Sequence, residues 1–398
     1  MDFSLSPKAE QYLGRVTAFM DQYVYPNEEL AERQVLASGN EHHEAEIVTE
    51  LRKKAKAEGL WNLFFPDEKH GKGLKNAEYA PLCEIMGRSR IGPHVFNCSA
   101  PDTGNMEILA EFGTPEQKRD WLEPCLEGKF RSCFSMTEPE TAGSDPTQLR
   151  TRAVRDGDDY VINGHKWFTS GALHSRFAIA MVVSDPDAEP HRRASQIIVP
   201  VDTPGFNIVR PVPVMGHTGG GGHCEIIYKD CRVPAANMLG KEGDGFAIAQ
   251  ARLGPGRIHH CMRAIGVAER AFELMCKRAN TRWTHGSYLA DKANIQQWIA
   301  DSRIEIEATR LLVMRAAWKI DTAGKRGARD EIAQIKVMAT NMVMAVLDRA
   351  IQVHGAMGVS DDTPIARFWR DSRALRIVDG PDEVHRMTIA RRELRKWK

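Results

Sequence analysis

The spacing of apolar residues divides the chain into three stretches. Before about Arg131, apolar positions recur every three or four residues in several segments, which is the pattern of amphipathic helices. Pro66 and Gly71 interrupt this pattern. The run Thr114-Pro115-Glu116-Gln117 predicts a helix start, with threonine as the N-cap and proline at the first helical position. The first third of the chain is therefore predicted to be helical.

Alternation of polar and apolar residues replaces the helical spacing after about Arg131. Asp156-Gly157 and Asn163-Gly164 are dipeptides typical of hairpins and turns. The runs FAIAMVVSD, SQIIVPVD and CEIIYKDCRV are further strand candidates. The middle of the chain is therefore predicted to consist of β-strands.

Long helical periodicity returns after Gly245 and continues almost to the last residue. Gly254-Pro255-Gly256 is predicted to kink or restart the first long helix, because proline lacks the amide hydrogen that the helix needs. The order of elements is therefore helices, then strands, then a bundle of long helices. A chain of 398 residues is expected to hold about two or three domains.

Composition and charge narrow the class of protein. Hydrophobic residues make up 42% of the chain and charged residues 27%, which is typical of a soluble globular protein. A net charge of +1 gives no chain-wide electrostatic reason to bind nucleic acid, and no apolar run is long enough to predict a membrane span. The start, MDFSLSPKAEQYL, resembles neither a signal peptide nor a mitochondrial leader. The expected location is the cytoplasm, or the mitochondrial matrix if a leader has been removed.

Cysteine and histidine patterns do not predict a metal site. The eight cysteines form no C-x-x-C pair, so we expect them to be reduced and mostly buried. The segment EHHEAE does not match the H-E-x-x-H zinc motif. His259 and His260 are adjacent, and neighbouring residues of a helix point about 100° apart. We therefore interpret the histidines as packed or solvated side chains.

The glycine-rich segments do not predict a phosphate-binding loop. The tetraglycine Gly219 to Gly222 is followed by His223-Cys224, where a P-loop needs lysine and then serine or threonine. The segment GKEGDG has the wrong spacing for a dinucleotide fingerprint. The tetraglycine is therefore predicted to be a turn before a strand.

Two polar segments allow more than one interpretation from their residues alone. The threonines, serines and amide groups between Phe134 and Ala172 could hold a polar ligand beside aromatic residues, or could form ordinary hairpin turns. The segment RIVDGPDEVHRMTIAR, from Arg376 to Arg391, combines three carboxylates with strong turn signals. It is either a surface turn or a turn that presents a catalytic carboxylate.

Taken in order, several segments resemble the acyl-CoA dehydrogenase family. They are MTEPETAGSD, VINGHKWFTSG, VDTPGFNI, CRVPAANMLGKEGDGF, TRWTHG, IQVHGAMGV and ARFWRDSRALRIVDGPDEVHRMTIARREL. The resemblance runs from about Glu58 to Leu394. The segments DGPDEVH, HTGGGGHCEI and KWFTSGA look most like the branch of family members ten and eleven.

The resemblance implies a fold, a cofactor and an assembly. The implied fold is α+β and multidomain, with an N-terminal helical domain over residues 1–132, a middle β-domain over 133–243 and a C-terminal four-helix bundle over 244–398. The implied cofactor is FAD, held between the β-domain and the bundle. Family members form homodimers or homotetramers in which one subunit completes the FAD site of its neighbour.

Matching the family motifs residue by residue implies a set of cofactor contacts. Thr137 would bond to the pyrimidine side of the flavin, and Gly143 and Ser144 would lie near the pyrophosphate. Arg282 would reach the pyrophosphate of the neighbouring subunit. The complete cofactor set is Phe134, Met136, Thr137, Gly143, Ser144, Trp167, Thr169, Arg282, Gln352 and Gly355. The implied substrate contacts are Ser144, Arg257 and Gly380, and no metal is implied.

Asp379 matches the position at which most family members carry the catalytic glutamate. A minority of members place the base one residue before the arginine that matches Arg257, but Gly256 there has no side chain. Asp382 and Glu383 match cofactor-side or helix-start positions, so we interpret them as capping and first-turn charges. The implied base is therefore Asp379.

The implied reaction is the α,β-dehydrogenation of a fatty acyl-CoA in β-oxidation, with an electron-transfer flavoprotein as acceptor. The base removes the α-proton while the β-hydrogen leaves as hydride to flavin N5. The developing enolate needs preorganised donors, which the family supplies from the amide of the base residue and from a ribityl hydroxyl of FAD. The product is the 2-enoyl-CoA.

The chain departs from the family pattern at five places. The segment TEPETAGSD has one residue more than is common, Ala293-Asn294 replaces a frequent His-Gln pair, and Pro381 replaces a threonine. The tetraglycine Gly219 to Gly222 is expected to widen or loosen the loop near the acyl pocket. Asp379 is one methylene shorter than glutamate, which is about 1.3–1.5 Å of reach, and a misplacement of about 1 Å can cost on the order of 100-fold in rate. We therefore expect a non-standard acyl chain, such as a 4-hydroxyacyl-CoA or its phosphorylated form.

Two alternative functions share the implied fold. Nitroalkane oxidases also use aspartate as base, but their reduced flavin must react quickly with oxygen. Some relatives bind duplex DNA through a basic C-terminal surface, and the last residues of this chain are basic. Solvated cations at a helix C-terminus explain that basic tail equally well, and the net charge does not favour DNA binding.

Overall fold

The computed structural model describes residues 4–398. In chain order, its helices are α1 Pro7–Phe19, α2 Glu28–Ala37, α3 Glu46–Ala57, α4 Asn76–Gly87, α5 Gly92–Val95, α6 Asp102–Phe112, α7 Pro115–Gln117, α8 Glu123–Leu126, α9 Gly245–Thr281, α10 Ala293–Gly327, α11 Arg329–His354, α12 Ala356–Val359, α13 Ile365–Arg373 and α14 Asp382–Arg395. Its strands are β1 Arg131–Ser135, β2 Arg152–Asp156, β3 Asp159–Ser170, β4 Ser175–Val183, β5 Ala194–Pro200, β6 Phe206–Pro211, β7 His223–Pro234, β8 Met238–Leu239, β9 Trp283–Thr284 and β10 Ser287–Tyr288.

Contacts group the described residues into two compact units. The first unit comprises residues 4–26, Glu58–Pro93 and Arg257–Lys398. The second comprises Asn27–Ala57 and His94–Gly256. The first unit is helical apart from the short β9–β10 hairpin, and the second contains the sheet built from β1 to β8.

The helix starts follow local side-chain chemistry. Ser6 Oγ accepts a hydrogen bond from the amide of Ala9 at 3.2 Å, which caps α1. At α7, Thr114 Oγ1 accepts from the amide of Gln117 at 3.2 Å, and the Gln117 side chain accepts from the amide of Thr114 at 3.1 Å. This reciprocal pair is a capping box, and it confirms the predicted helix start.

The sheet of the second unit has strand order β6-β7-β3-β2-β4-β5-β8, and β1 pairs in parallel with β4. Its two faces bury different side chains because successive residues of a strand point to opposite sides. Cys133 of β1 packs in the larger apolar cluster with Ile162 and Ile197. Phe134, the next residue, packs on the opposite face near Met181. Strand alternation therefore places Phe134 and Met136 on one face.

The structure confirms one of the two predicted turns and contradicts the other. Asp156 and Asp159 pair at the end of the β2–β3 hairpin, so the Asp156-Gly157 turn is confirmed. The prediction of a turn at Asn163-Gly164 is wrong, since both residues lie inside β3 at a register irregularity. A Cβ on Gly164 would collide with Thr151, so this glycine permits a close approach between chain segments.

The C-terminal helices of the first unit pack around α11, which contacts α10, α13 and α14. The predicted restart at Gly254-Pro255-Gly256 is wrong, because α9 continues through these residues. Pro255 lies inside this helix, although it lacks the amide hydrogen for one helical bond. A break does occur in α10, where Gly324 has φ 69°.

The order of helices, sheet and helices agrees with the predicted fold class. The boundaries predicted at residues 132 and 243 stay predictions. Among the helices of residues 4–398, none combines the length and apolar character that crossing a bilayer requires.

Candidate active site

The segment after β1 is hydrogen-bonded to β3 at the positions predicted to contact the flavin. Thr137 Oγ1 donates to the carbonyl of Trp167 at 2.7 Å, and the amide of Trp167 donates to the carbonyl of Thr137 at 3.0 Å. Gly143 adjoins Thr137, since a Cβ on this glycine would lie 3.0 Å from Thr137 Cγ2. Ser144 is exposed on the same loop. The structure therefore brings Thr137, Gly143 and Trp167 together.

A β-bulge in β3 sets the direction of Trp167. The pairing of β3 with β7 shifts register between Lys166 and Thr169. Phe168 inside this bulge has φ 51°, a left-handed conformation that costs a non-glycine residue about 1 kcal/mol or more. Thr169 is buried, and its hydroxyl lies 3.2 Å from that of Ser135 on β1. Bulges commonly re-aim side chains beside active sites, which fits the predicted role of Trp167.

A buried ion pair supports the same strands from inside. Lys166 Nζ lies 2.9 Å from Glu138 Oε1 and donates to the carbonyl of Met136 at 2.7 Å. Glu138 also accepts from the amides of Arg150 at 2.7 Å and Thr151 at 2.8 Å. Burial lowers the pKa of Lys166 to about 8, against the attraction of Glu138. These bonds fix the backbone at Met136, one of the predicted cofactor contacts.

Phe134 is held by a cation that the sequence did not single out. The guanidinium of Arg252 lies over the Phe134 ring, 4.2 Å from its centroid. Arg252 Nε donates to Asn105 Oδ1 at 3.0 Å, which directs the guanidinium. Phe134 therefore has a defined orientation on the face of the sheet that it shares with Met136.

Three predicted cofactor contacts of the first unit line one groove. Arg282, Gln352 and Gly355 share it with Arg278 and His354. Among residues 4–398, the buried Arg278 Nε has no hydrogen-bond partner. Guanidinium groups only donate hydrogen bonds, and they match phosphate oxygens in geometry. The groove therefore fits an anion such as a pyrophosphate.

Asp379 lies in a strained turn between the 3₁₀ turn Ala374–Arg376 and α14. Its φ is 56°, and that of Gly380 is 98°. Arg257 Nε donates to the carbonyl of Asp379 at 2.8 Å, and His385 Nε2 lies 3.3 Å from the same oxygen. A Cβ on Gly380 would lie 3.0 Å from His385 Nε2. Strain that is held in place by several contacts is common at functional sites.

The carboxylate of Asp379 faces α9. Its Oδ2 lies 3.3 Å from Nε2 of His260, and the two side chains are about one-fifth exposed, at 19% and 21%. Nδ1 of His260 lies 3.2 Å from a terminal nitrogen of Arg263. Asp379, His260 and Arg263 therefore form a chain of polar contacts. His260 and Arg263 lie within one turn of α9.

The groups around this turn are mostly cationic and partly desolvated. Burial lowers the pKa of Arg257, and the Asp379 carboxylate opposes that shift. Burial also lowers the pKa of Lys336, whose Nζ donates to the carbonyl of Leu375. Burial, together with the charges of Arg257 and Lys336, lowers the pKa of His385 to about 4. His385 is therefore neutral near pH 7.

Asp382 anchors the helix that follows Asp379. Pro381 is the N-cap of α14, so the capping role predicted for Asp382 is wrong. Asp382 is buried in the first turn, where it accepts from Asn341 at 2.9 Å and Arg376 at 2.9 Å. Glu383 is 76% exposed in the same turn, which agrees with a first-turn charge.

The sequence reasoning missed His260, Arg263 and His385. Helical spacing carries a partial signal for the first two, because His260 and Arg263 follow Arg257 by three and six residues on the same helix. The contact of His260 with Asp379 joins segments that are distant in sequence. Local patterns contain no information on such a contact.

Comparisons with known proteins extend over the whole chain. Family models of the acyl-CoA dehydrogenase N-terminal, middle and C-terminal domains match residues 7–129, 133–231 and 243–394. The "Probable acyl-CoA dehydrogenase FadE2" of Mycobacterium tuberculosis is 54% identical over 402 residues, with 100% of this chain and 98% of the relative covered. Mouse acyl-CoA dehydrogenase family member 10 is 49% identical, and the match covers 98% of this chain but 37% of that protein.

A solved structure of a Mycobacterium abscessus protein has a TM-score of 0.96 and 46% identity, and the match covers 99% of this chain and 100% of the other. The matches confirm the predicted enzyme class, a flavin-dependent oxidoreductase with FAD as its cofactor. The donors around Arg278 and Arg282 fit the FAD pyrophosphate. The match to family member 10 supports the predicted branch. The chain belongs to the acyl-CoA dehydrogenase family.

Proposed function

We propose that the protein converts an acyl-CoA thioester to the 2-enoyl-CoA, with Asp379 as the base. The observation that supports this proposal most strongly is the turn at Asp379. Its left-handed backbone is held by Arg257 and His385 through the carbonyl oxygen, while its carboxylate is partly exposed. A surface turn without a role would not need these contacts to maintain a strained conformation.

The reaction separates an α-proton from a β-hydride. Asp379 takes the α-proton on a carboxylate oxygen, and the electron pair of that C–H bond forms the new double bond. Bound FAD would supply the acceptor for the β-hydrogen and its electron pair. The amide of Asp379 donates to the thioester oxygen, where negative charge develops. Arg257 fixes the peptide on the carbonyl side of Asp379, which orients this turn.

Two groups of residues hold FAD in this proposal. Phe134, Met136, Thr137, Trp167 and Thr169 adjoin the flavin from the second unit, with Gly143 and Ser144 near the pyrophosphate. The contacts of Thr137 and the bulge at Phe168 support this assignment, because both fix Trp167. Arg282, Gln352 and Gly355 hold the pyrophosphate of a neighbouring subunit. Their common groove supports this second assignment.

The preferred substrate carries oxygen at C4, as a 4-hydroxyacyl-CoA or its phosphate ester. The short side chain of Asp379 supports this preference, because it leaves extra room that a substrate oxygenated near C4 can occupy. The tetraglycine agrees with an altered pocket, because Gly219, Gly220 and Gly222 have φ of 123°, 54° and 69°, which other residues rarely adopt. Ser144, Arg257 and Gly380 contact the substrate.

The partners in this proposal are an electron-transfer flavoprotein and further copies of this chain. Ile304, Leu311 and Trp318 support self-association. They are exposed at seven-residue spacing along one side of α10, at 66%, 54% and 39%. An exposed apolar stripe on a long helix is typical of a contact between helices.

Anaerobic titration with a panel of acyl-CoAs tests the function. The FAD-bound protein should be bleached by its substrate, and 4-oxygenated chains should reduce it faster than straight chains from C4 to C16. Asp379→Asn should retain FAD and bind the ligand but lose bleaching by more than about 1,000-fold, as expected on removal of a general base. Full bleaching by Asp379→Asn would contradict the assignment of the base. Faster bleaching by every straight chain would contradict the proposed substrate.

The rate at which oxygen reoxidises the reduced flavin distinguishes a dehydrogenase from a nitroalkane oxidase. Reduced enzyme mixed with air in a stopped-flow instrument should reoxidise slowly and should transfer electrons to an electron-transfer flavoprotein. Rapid reoxidation by oxygen, together with bleaching by a nitroalkane, would favour the oxidase.

A further inference from the structure

The contacts at Asp379 fall into two groups. Arg257 and His385 reach its carbonyl oxygen, at 2.8 and 3.3 Å, and so act on the backbone. His260 reaches the carboxylate itself, with Nε2 3.3 Å from Oδ2. Lys336 Nζ is directed to the carbonyl of Leu375. His260 is therefore in a position to orient the reactive carboxylate.

Arg263 determines which nitrogen of His260 carries the proton. The guanidinium can only donate, and its terminal nitrogen lies 3.2 Å from Nδ1 of His260. Nδ1 must therefore accept, so in the neutral ring the proton is on Nε2, the nitrogen that lies 3.3 Å from Asp379 Oδ2. Protonation of Nδ1 would place two N–H groups against each other. The arrangement therefore places an N–H of the imidazole on the side of the carboxylate.

We propose that His260 is a positioning residue for Asp379, and that Arg263 holds it in the donating tautomer. This inference rests on the proposed function of Asp379 as base. Nε2 of His260 lies 3.3 Å from Oδ2, so His260 restricts the positions that the carboxylate can take when it removes the α-proton. A base that is one methylene short needs a fixed carboxylate, because an error of about 1 Å in position can cost on the order of 100-fold in rate.

Substitutions that differ in reach test the role of the donor. The side-chain amide of His260→Gln reaches about as far as Nε2, whereas that of His260→Asn ends near Nδ1. His260→Leu has similar bulk and no donor. Flavin reduction by the acyl-CoA that bleaches the wild type should fall about 10- to 100-fold in the Leu and Asn variants. The Gln variant should recover most of the rate.

Measurements of FAD and acyl-CoA binding distinguish a positioning role of His260 from a general structural effect of its substitution. FAD content and the dissociation constant of the acyl-CoA should stay within about threefold of wild type in all three variants, because the donor acts on the base and not on the ligand. Equal rates for the Gln and Asn variants, or a Leu variant as fast as wild type, would overturn the proposal. If the Leu variant does not fold, the comparison of Gln with Asn still decides.

Two further variants distinguish a failure of the role proposed for His260 from a failure of the role proposed for Asp379. His43→Leu, at a histidine that pairs with Glu46 in the second unit, should reduce its flavin as wild type does. If wild type bleaches and Asp379→Asn does not, a normal rate in His260→Leu refutes the role of His260 alone. If Asp379→Asn bleaches fully, the proposed base is wrong, whatever the His260 variants do.

Discussion

At the scale of single residues, adjacent histidines of α9 have opposite roles. His260 is directed to Asp379, whereas His259 is buried, with its ring centroid 5.0 Å from that of Tyr79. Within residues 4–398, neither ring nitrogen of His259 has a hydrogen-bond partner. Burial, with the charge of Arg263, lowers the pKa of His259 to about 3. A rotation of about 100° between neighbouring helix positions separates the two environments.

His259→Leu should change stability in a pH-dependent way. At pH 7 the free energy of unfolding should stay within about 1 kcal/mol of wild type, because the lost ring contacts offset the removal of two unpaired nitrogens. Below about pH 6.5 the unfolded chain of the wild type binds a proton that the native His259 does not. Wild-type stability should therefore fall by up to about 1.4 kcal/mol per pH unit down to about pH 3, and the variant should lack this contribution.

Urea unfolding at pH 7 and pH 5 measures the effect on both proteins. His385, whose pKa is also lowered, contributes with the same sign in wild type and variant, so the difference between the two proteins isolates His259. A difference that does not change between pH 7 and pH 5 would contradict the prediction.

At the scale of elements, the proposed flavin surface depends on how β1 and β3 are joined. The bulge at Phe168 directs Trp167, and the Lys166–Glu138 pair holds the backbone around Met136. The pair is buried at both ends, with side chains 0% and 2% exposed. Breaking such a pair leaves an uncompensated charge inside the protein.

Lys166→Met should destabilise the protein by about 3–5 kcal/mol, because Glu138 remains buried without its cation. The variant should also retain less FAD, since the segment at Met136 loses its anchor. Thermal unfolding and the ratio of flavin to protein absorbance measure the two effects. Arg176→Met is the control: it removes an exposed ion pair with Asp202 in the same unit and should cost about 1 kcal/mol or less. Similar losses in both variants would contradict the role of burial.

At the scale of the whole molecule, the groove of Arg282, Gln352 and Gly355 and the stripe on α10 both concern assembly. The proposal assigns the groove to the FAD of a neighbouring subunit. Each active site would then combine Asp379 of one subunit with Arg282 of the other. A protein with this organisation allows complementation between two inactive variants.

Arg282→Gln and Asp379→Asn should each lack activity as pure proteins, the first through weak FAD binding and the second through loss of the base. After the two are unfolded, mixed in equal amounts and refolded with FAD, about one-quarter of wild-type activity should return, because half of randomly paired dimers contain one intact site. Acyl-CoA-dependent dye reduction measures the recovery. No recovery, when size measurements show mixed oligomers, would place Arg282 in the same site as its own Asp379. In a matched control, both variants also carry Leu311→Glu. These subunits should assemble poorly, so mixing them should not restore activity.

The sequence alone determined the features that depend on neighbours along the chain. Apolar spacing predicted the order of helices and strands, and Thr114 with Gln117 formed the expected capping box. The motif resemblance led to the family, which the comparisons confirmed. It also selected Asp379 from the three carboxylates between Arg376 and Arg391, although its catalytic role stays a prediction.

Only the tertiary structure decided the features that depend on contacts between distant segments. The Asn163-Gly164 pair, a dipeptide that often marks hairpins, lies at a register irregularity inside β3, where Thr151, just before β2, approaches Gly164 closely. Likewise, the sequence did not distinguish His259 from His260, which the packing of α9 places in different surroundings. Local propensities contribute about 1 kcal/mol or less per residue, and such tertiary contacts can override them. The environment of Asp379 is therefore a product of the fold.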